Sequence, residues 1–219
     1  MKNLKRVLII FILFIIYILL SLFSYSNAVS TDIQNSVFRL HVIANSDSKE
    51  DQNLKYKVRD ALIEYMNFIS KDVSSKEEAI RIANENKDKF YDITKKVISD
   101  NGFNYNINIE IGIFSFPTKT YGDISLPSGF YDALRVEIGN ASGQNWWCVM
   151  FPSLCFIDVS EGIVPEESKK ELQSNMEEEE YNLISSDTLE FKLKFKLVEL
   201  LENAKIIMAN KGYDSNALF

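Results

Sequence analysis

The pattern of apolar and polar residues predicts a strand followed by a helix near residue 40. Val37 to Ala44 is apolar and β-branched enough to predict a strand. The polar cluster Asn45-Ser46-Asp47-Ser48 that follows is typical of a turn and a helix N-cap. The next helix has one apolar face, made by residues at helical spacing: Leu54, Val58, Ala61, Leu62, Tyr65 and Ile69.

A second helix is predicted after a capping box. In a capping box, a serine hydroxyl and a glutamate three residues later cap the first turn of a helix. Two pairs have this spacing: Ser74 with Glu77, and Ser75 with Glu78. The apolar face continues to residue 97: Ala79, Ile82, Ala83, Phe90, Ile93 and Val97. Asn101-Gly102 is predicted to end this helix, because glycine adopts the left-handed backbone angles that a helix stop requires.

From residue 103 the period changes to two, which predicts strands. Alternate residues are apolar and define one buried face: Phe103, Tyr105, Ile107, Ile109, Ile111 and Ile113. After a link with Pro117 and Gly129, another strand has Leu134, Val136 and Ile138 inward, with Arg135 and Glu137 outward. A turn at 140–143 leads to a strand from Trp146 to Met150. These elements predict an α+β fold, in which helices cover one face of a mostly antiparallel sheet of four to five strands.

The C-terminal part of the chain is acidic and then helical. Glu177 to Glu180 is an unbroken run of carboxylates, which favours a solvated linker or helix face. A long amphipathic helix follows, starting at Asp187 with Glu190 and stopping at Gly212. Its apolar stripe is Leu189, Leu193, Leu197, Leu200, Leu201, Ala204 and Met208. We expect this stripe to pack back on the domain, the alternative being a partner protein.

The N-terminal segment has the features of an export signal. Lys2, Lys5 and Arg6 precede an apolar run from Val7 to Phe23. Small residues at Ser26 and Ala28 predict cleavage after Ala28, and the alternative is an uncleaved membrane anchor. Either outcome places the rest of the chain outside the cytoplasm. The predicted division is a signal or anchor at 1–28, an exported α+β domain at 29–160, and an acidic linker with a helix at 161–219.

The charge balance excludes some classes of partner. The whole chain has 24 basic and 31 acidic side chains, and without residues 1–28 the balance is 21 to 31, a net charge of −10. Nucleic acid requires a basic face, so this composition argues against it. It also argues against a polybasic attachment to anionic lipid.

Both cysteines and both tryptophans of the chain lie between Gly143 and Phe156. If Trp146–Met150 and Leu154–Ile157 are neighbouring strands, Cys148 and Cys155 lie close enough to form a disulfide, as is usual outside the cytoplasm. The alternative is a nucleophilic thiolate at one of these cysteines. Such a thiolate needs a base, and the only histidine is His41.

Other chemistry finds little support in the sequence. Asn45, Asp47 and their neighbours do not form a calcium loop, because Lys49 and Glu50 occupy the fifth and sixth positions. One histidine with two cysteines does not make a zinc set, and there is neither a phosphate-binding loop nor a serine-hydrolase elbow. We therefore predict no catalytic residues, no metal and no cofactor.

Three blocks of sequence, in order, carry a family resemblance over residues 36 to 158. They are Phe38 to Ser48 with Asp51, Gln52, Lys55, Val58, Arg59 and Asp60; Phe116 to Gly122 with Leu126, Pro127, Gly129, Tyr131 and Ala133 to Val136; and Asn145 to Cys148 with Leu154 to Phe156. Together they resemble the stage II sporulation protein R family.

The resemblance implies a signalling protein rather than an enzyme. Members are exported from the forespore into the space between the forespore and mother-cell membranes. There they activate a membrane-embedded, aspartic-type protease that removes the pro-sequence of sigma-E. The rival hypothesis is a secreted thiol hydrolase using Cys148 or Cys155 with His41 and either Asn45 or Asp47. A third is an anchored structural protein of the septum.

The family-like blocks also suggest residues for contact with the protease, since aromatic and arginine side chains often anchor such interfaces. The candidates are Arg39, His41, Asn45, Asp47, Lys119, Tyr121, Arg135, Trp146 and Trp147. The alternative is structural: Trp146, Trp147 and Tyr131 are core aromatics, and Asp47 is a helix cap.

Overall fold

The computed structural model describes residues 2–154 and 164–216. In chain order its elements are α1 (Lys2–Asn35), β1 (Phe38–Ile43), α2 (Lys49–Ile69), α3 (Lys76–Glu85), α4 (Lys87–Asp100), β2 (Ile107–Phe116), β3 (Lys119–Tyr121), β4 (Ile124–Leu126), β5 (Gly129–Ile138), β6 (Asn145–Phe151), α5 (Glu166–Ser174), α6 (Glu178–Ser185) and α7 (Leu189–Asn216). Helices and strands are both present, which confirms the predicted α+β class.

Strands β2, β5, β1 and β6 form the main sheet in that order, and β3 and β4 form a separate hairpin. The outer pairings β2–β5 and β1–β6 are antiparallel, whereas the central pair β1 and β5 is parallel, with His41 opposite Arg135. The sheet is therefore mixed. The parallel pair arises because helices α2 to α4 and strand β2 lie between β1 and β5 in the chain.

Both faces of the sheet are covered, whereas the sequence pattern predicted one covered face. On the first face, helices α2 to α4 pack on alternate residues such as Leu40, Val42 and Leu134. On the opposite face, the end of α1, the β3–β4 hairpin and the helices after residue 164 pack around Tyr131 and Val149. The sequence signal for the second layer was weak because its helices come from both ends of the chain.

Helix ends follow the predicted capping. The Oγ of Ser48 accepts a hydrogen bond from the amide of Asp51, and the Oγ of Ser75 accepts one from Glu78. The helix predicted to begin there is two helices, since α3 ends at Glu85 and α4 begins at Lys87. Gly102 follows α4 with a φ of +80°, which confirms the predicted stop.

The C-terminal helices differ from prediction in three details. The acidic run begins α6, but Glu180 is buried rather than solvated. Helix α7 continues through Gly212 to Asn216, so the predicted stop at Gly212 was wrong. It packs back on the domain through Val198 and Glu202, both buried. Much of its predicted apolar stripe is nevertheless exposed.

Helix α1 combines an apolar membrane-type segment with a part of the domain core. Its residues from Leu4 onward are long and apolar enough to cross a membrane, which a signal sequence also satisfies. Val29 and Ile33, near its end, are buried in the second core. The single helix therefore links the apolar segment directly to the folded domain. Cleavage after Ala28 stays a prediction.

Candidate functional site

The polar side chains of β1 lie on the sheet face opposite α2 to α4. Because side chains alternate along a strand, Arg39 and His41 point to one side and Leu40 to the other. Around Arg39 and His41 is a cluster that we call the His41 face. Its members are Arg39, His41, Phe114, Phe116, Tyr121, Arg135, Asn145 and Trp147.

His41 is held tightly between aromatic rings and an amide. Its ring stacks on Trp147 at a centroid distance of 3.6 Å, and Phe116 lies 5.9 Å away. Its Nε2 lies 2.7 Å from the Oδ1 of Asn145. Since an amide oxygen only accepts hydrogen bonds, Nε2 carries the proton of the neutral ring.

The surroundings of His41 keep it neutral. Burial lowers the pKa of His41 from 6.5 to about 4; the hydrogen bond with Asn145 opposes this shift, and the nearby cation of Arg135 adds to it. At neutral pH this side chain therefore contributes a flat aromatic surface and a hydrogen bond, without a charge.

Arg39 lies beneath His41 and is fully buried. Its Nη2 donates to the hydroxyl of Tyr121 at 2.7 Å, and its guanidinium carbon lies 4.1 Å from the Phe116 ring centroid and 4.6 Å from that of Tyr131. Its Nε and Nη1 have no hydrogen-bond partner within the described ranges. Aromatic faces thus supply most of what stabilises this buried cation. Burial also raises the pKa of Tyr121, and Arg39 opposes that increase.

Arg135 is a partly exposed member of the face. It follows from the register that Arg135 neighbours His41. Its guanidinium forms an ion pair with Glu137 and lies 5.2 Å from the Phe114 ring centroid. The Arg135 side chain is 31% exposed, so it is accessible from solvent. Lys119 is half-buried on β3, and among the described residues it forms no hydrogen bond, ion pair or cation–π contact with this cluster.

Asn45 and Asp47 instead join two turns at the end of β1. Asn45 donates to Asp51 at 2.8 Å and accepts from the amide of Asn140 at 3.0 Å. The Oδ1 of Asp47 accepts from the amide of Gln144 at 2.7 Å. The helix cap is Ser48, so Asp47 is not the cap itself. These bonds give both residues a structural function, and a direct contact with a partner stays a prediction.

Asp51 is a structural centre whose role the sequence analysis missed. It is buried, and it accepts hydrogen bonds from Ser46 at 2.5 Å and Asn45 at 2.8 Å. Burial raises the pKa of Asp51, but these hydrogen bonds outweigh burial and hold the pKa below its ordinary value. The available signal was its position three residues after Ser48, at the start of a helix.

The two tryptophans point to opposite faces of β6. Trp147 belongs to the His41 face, whereas Trp146 packs on the α2 side. There Trp146 lies 4.2 Å from the guanidinium carbon of Arg59 and 5.5 Å from the Tyr56 ring. Both tryptophans are half-buried. They therefore belong to two separate surfaces of the sheet.

The structure does not bring His41 and Cys148 together. Cys148 is buried in the core against α2 to α4, on the sheet face opposite to the His41 ring. The thiol hydrolase hypothesis therefore loses the Cys148 pair. Cys155 lies outside the described residues, so the predicted disulfide stays a prediction. Within the described residues, no three His, Cys, Asp or Glu side chains are grouped so that they could hold a metal ion.

Comparison with known proteins agrees with the three sequence blocks. Residues 34–161 match the family described as stage II sporulation protein R. The chain is 40% identical over 147 residues to stage II sporulation protein R of Bacillus subtilis (strain 168), covering 67% of this chain and 66% of the relative. No solved structure matches. The His41 face lies within the matched residues, and the chain belongs to the stage II sporulation protein R family.

Proposed function

We propose that this protein is an exported sporulation signal that activates a membrane-embedded, aspartic-type protease and so causes pro-sigma-E processing. In this proposal it is exported across the forespore membrane and acts in the intermembrane space. The supporting observation is family membership over residues 34–161, the range that contains the His41 face. The apolar helix α1 is compatible with export or anchoring.

The His41 face is the proposed contact with the protease. It combines aromatic rings with a cation, the side-chain types that most often dominate protein interfaces. Arg135 is partly exposed and Trp147 is half-buried, so both can gain burial when a partner binds. Arg39, His41 and Tyr121 lie beneath them and hold the aromatic rings in position. The face therefore has a rigid base and an accessible rim.

The test is pro-sigma-E processing in a heterologous cell that makes the protease, with and without this chain. We expect processing only when the chain is present. Trp147→Ala and Arg135→Gln should each reduce processing at least several-fold, because hot-spot truncations cost about 2 kcal/mol or more. Circular dichroism and the amount of exported protein report folding separately.

The matched control is Arg81→Gln. Arg81 is an exposed arginine of α3 that pairs with Glu85, and it lies on a helix that packs on the other side of the sheet. This variant should process pro-sigma-E as the parent does. Equal loss from Arg81→Gln and Arg135→Gln would refute the His41 face as the contact. Processing without the chain would refute activation itself.

A further inference from the structure

Helix α7 has an apolar surface that faces away from its own domain. Five large side chains on it are 56 to 74% exposed, and we call them the α7 stripe: Leu189, Leu193, Leu200, Ile207 and Met208. The opposite side of α7 packs on the domain through Val198 and Glu202. A row of apolar side chains along five turns of helix is larger than the isolated exposed leucines common on protein surfaces.

The side-chain contacts between α7 and α1 indicate that the two helices cross. Lys194 lies 5.7 Å from the ring of Tyr25, and Lys205 donates to Asn27 at 2.7 Å. These two lysines are about 16 Å apart along α7, whereas Tyr25 and Asn27 are only about 3 Å apart along α1. Two helices lying side by side would make both contacts only if the two lysine side chains stretched toward each other, so the contacts favour a crossing arrangement. If α1 crosses the bilayer, α7 therefore lies close to the membrane plane.

The height of α7 along α1 matches the end of the apolar segment. Lys205 also lies 6.0 Å from the ring of Phe23, the last residue of the run of exposed apolar side chains in α1. The hydrocarbon boundary is expected near this residue, because the following Tyr25 and Ser26 contact the folded domain. Helix α7 thus passes α1 at the level of the membrane surface.

The α7 stripe lies on the membrane side of α7. Glu202 contacts Gln34, near the domain end of α1. Seen down the axis of α7, Val198 lies beside Glu202, and Lys194 and Lys205 lie beyond Val198. These two lysines contact α1 nearer its membrane end. Continuing in the same direction leads to the α7 stripe. The stripe therefore turns toward the bilayer, between these lysines on one side and Lys192 and Lys196 on the other.

We propose that α7 is an interfacial helix, whose stripe enters the headgroup region of the membrane that α1 crosses when α1 is retained as an anchor. An exposed apolar row flanked by lysines is one feature of helices that lie in the interface plane. The proposed binding is apolar rather than polybasic, so it does not require a basic net charge. This second attachment would fix the orientation of the domain, independently of whether the protease is its partner.

The test places an environment-sensitive fluorophore on the stripe of the full chain, through Leu200→Cys or Ile207→Cys. The matched control is Lys96→Cys, at a 74% exposed side chain on α4, which packs on the other face of the sheet from α7. The protein is reconstituted in vesicles of phosphatidylcholine with a minority of phosphatidylglycerol, with or without nitroxide-labelled lipid. The parent chain treated with the same reagent measures labelling of the native cysteines.

We expect nitroxide lipid to quench the probes at 200 and 207 several-fold more than the probe at 96. Equal quenching at all three positions would overturn the proposal. A second copy of the chain on the stripe would also overturn it: the probes at 200 and 207 would then be shielded from water, unaffected by nitroxide lipid, and self-quenched as protein density increases.

Discussion

The two faces of the main sheet differ in the side chains that they receive from the same strand: one face is apolar, and the other carries buried polar groups. On the α2–α4 side, β1 contributes Leu40 and Val42 to an apolar core. On the other side, it contributes Arg39 and His41, which are buried although burial disfavours a charge on either. The first face is explained by packing alone. The second face carries polar side chains that are not required for packing of the core, so we propose that the contact with the protease lies on this face.

The largest expected effect is on the packing face. Leu40→Ala removes a fully buried side chain and should lower the free energy of unfolding by about 2 to 5 kcal/mol. Its neighbour supplies the matched comparison: Arg39→Met should leave stability unchanged or raise it, because it removes a buried charge without a carboxylate partner. Urea unfolding measures both. A loss for Arg39→Met as large as that for Leu40→Ala would show that both faces are structural.

The next largest expected effect is a loss of stability at acid pH that originates from the His41 face. Folded His41 protonates at a pKa of about 4 and the unfolded chain at 6.5, so its contribution is complete above pH 6.5 and is lost as the pH falls toward 4. The loss is at most about 3 to 4 kcal/mol. His41→Phe keeps an aromatic ring and removes this titration, so the stability difference between parent and variant should change across that interval. A difference that stays constant with pH would contradict a buried neutral His41.

Local signals in the sequence predicted the caps and several strands. The cap formed by Ser75 and Glu78 and the helix end at Gly102 depend only on neighbours within a few residues. The local sequence is therefore sufficient to predict them. The parallel pairing of β1 with β5 joins segments about ninety residues apart, and no local period encodes it. The same limit applies to the covering of the second face, to which both ends of the chain contribute.

The candidate site was predicted in part. Five of the candidate contact residues named from the sequence lie together in the structure: Arg39, His41, Tyr121, Arg135 and Trp147. The sequence pattern placed Trp146 with Trp147, although alternation along a strand already implies opposite faces. The contact between Arg39 and Tyr121 spans 82 positions, so only the folded chain shows that the two meet.

The turn after β1 should show an intermediate effect, because it supports both faces. Asp51→Asn removes the charge that Ser46 and Asn45 bind, so we expect a loss of about 1 to 3 kcal/mol in unfolding free energy. Asp60→Asn is the control on the same helix; its side chain is 63% exposed, and it should cost less than about 1 kcal/mol. Similar small losses for the two variants would show that the Asp51 hydrogen bonds do not stabilise the turn.

The smallest expected effect tests whether function is confined to the His41 face. Arg59 lies over the ring of Trp146 on the α2 side, an arrangement that resembles Arg135 over Phe114. Arg59→Gln should lower the free energy of unfolding by only about 0.5 to 1 kcal/mol, the usual size of a partly exposed cation–π contact. It should leave pro-sigma-E processing unchanged, while Arg135→Gln reduces it. If a folded Arg59→Gln protein loses processing as Arg135→Gln does, the α2 side also contacts the partner. The hypothesis that the contact is confined to the His41 face would then be wrong.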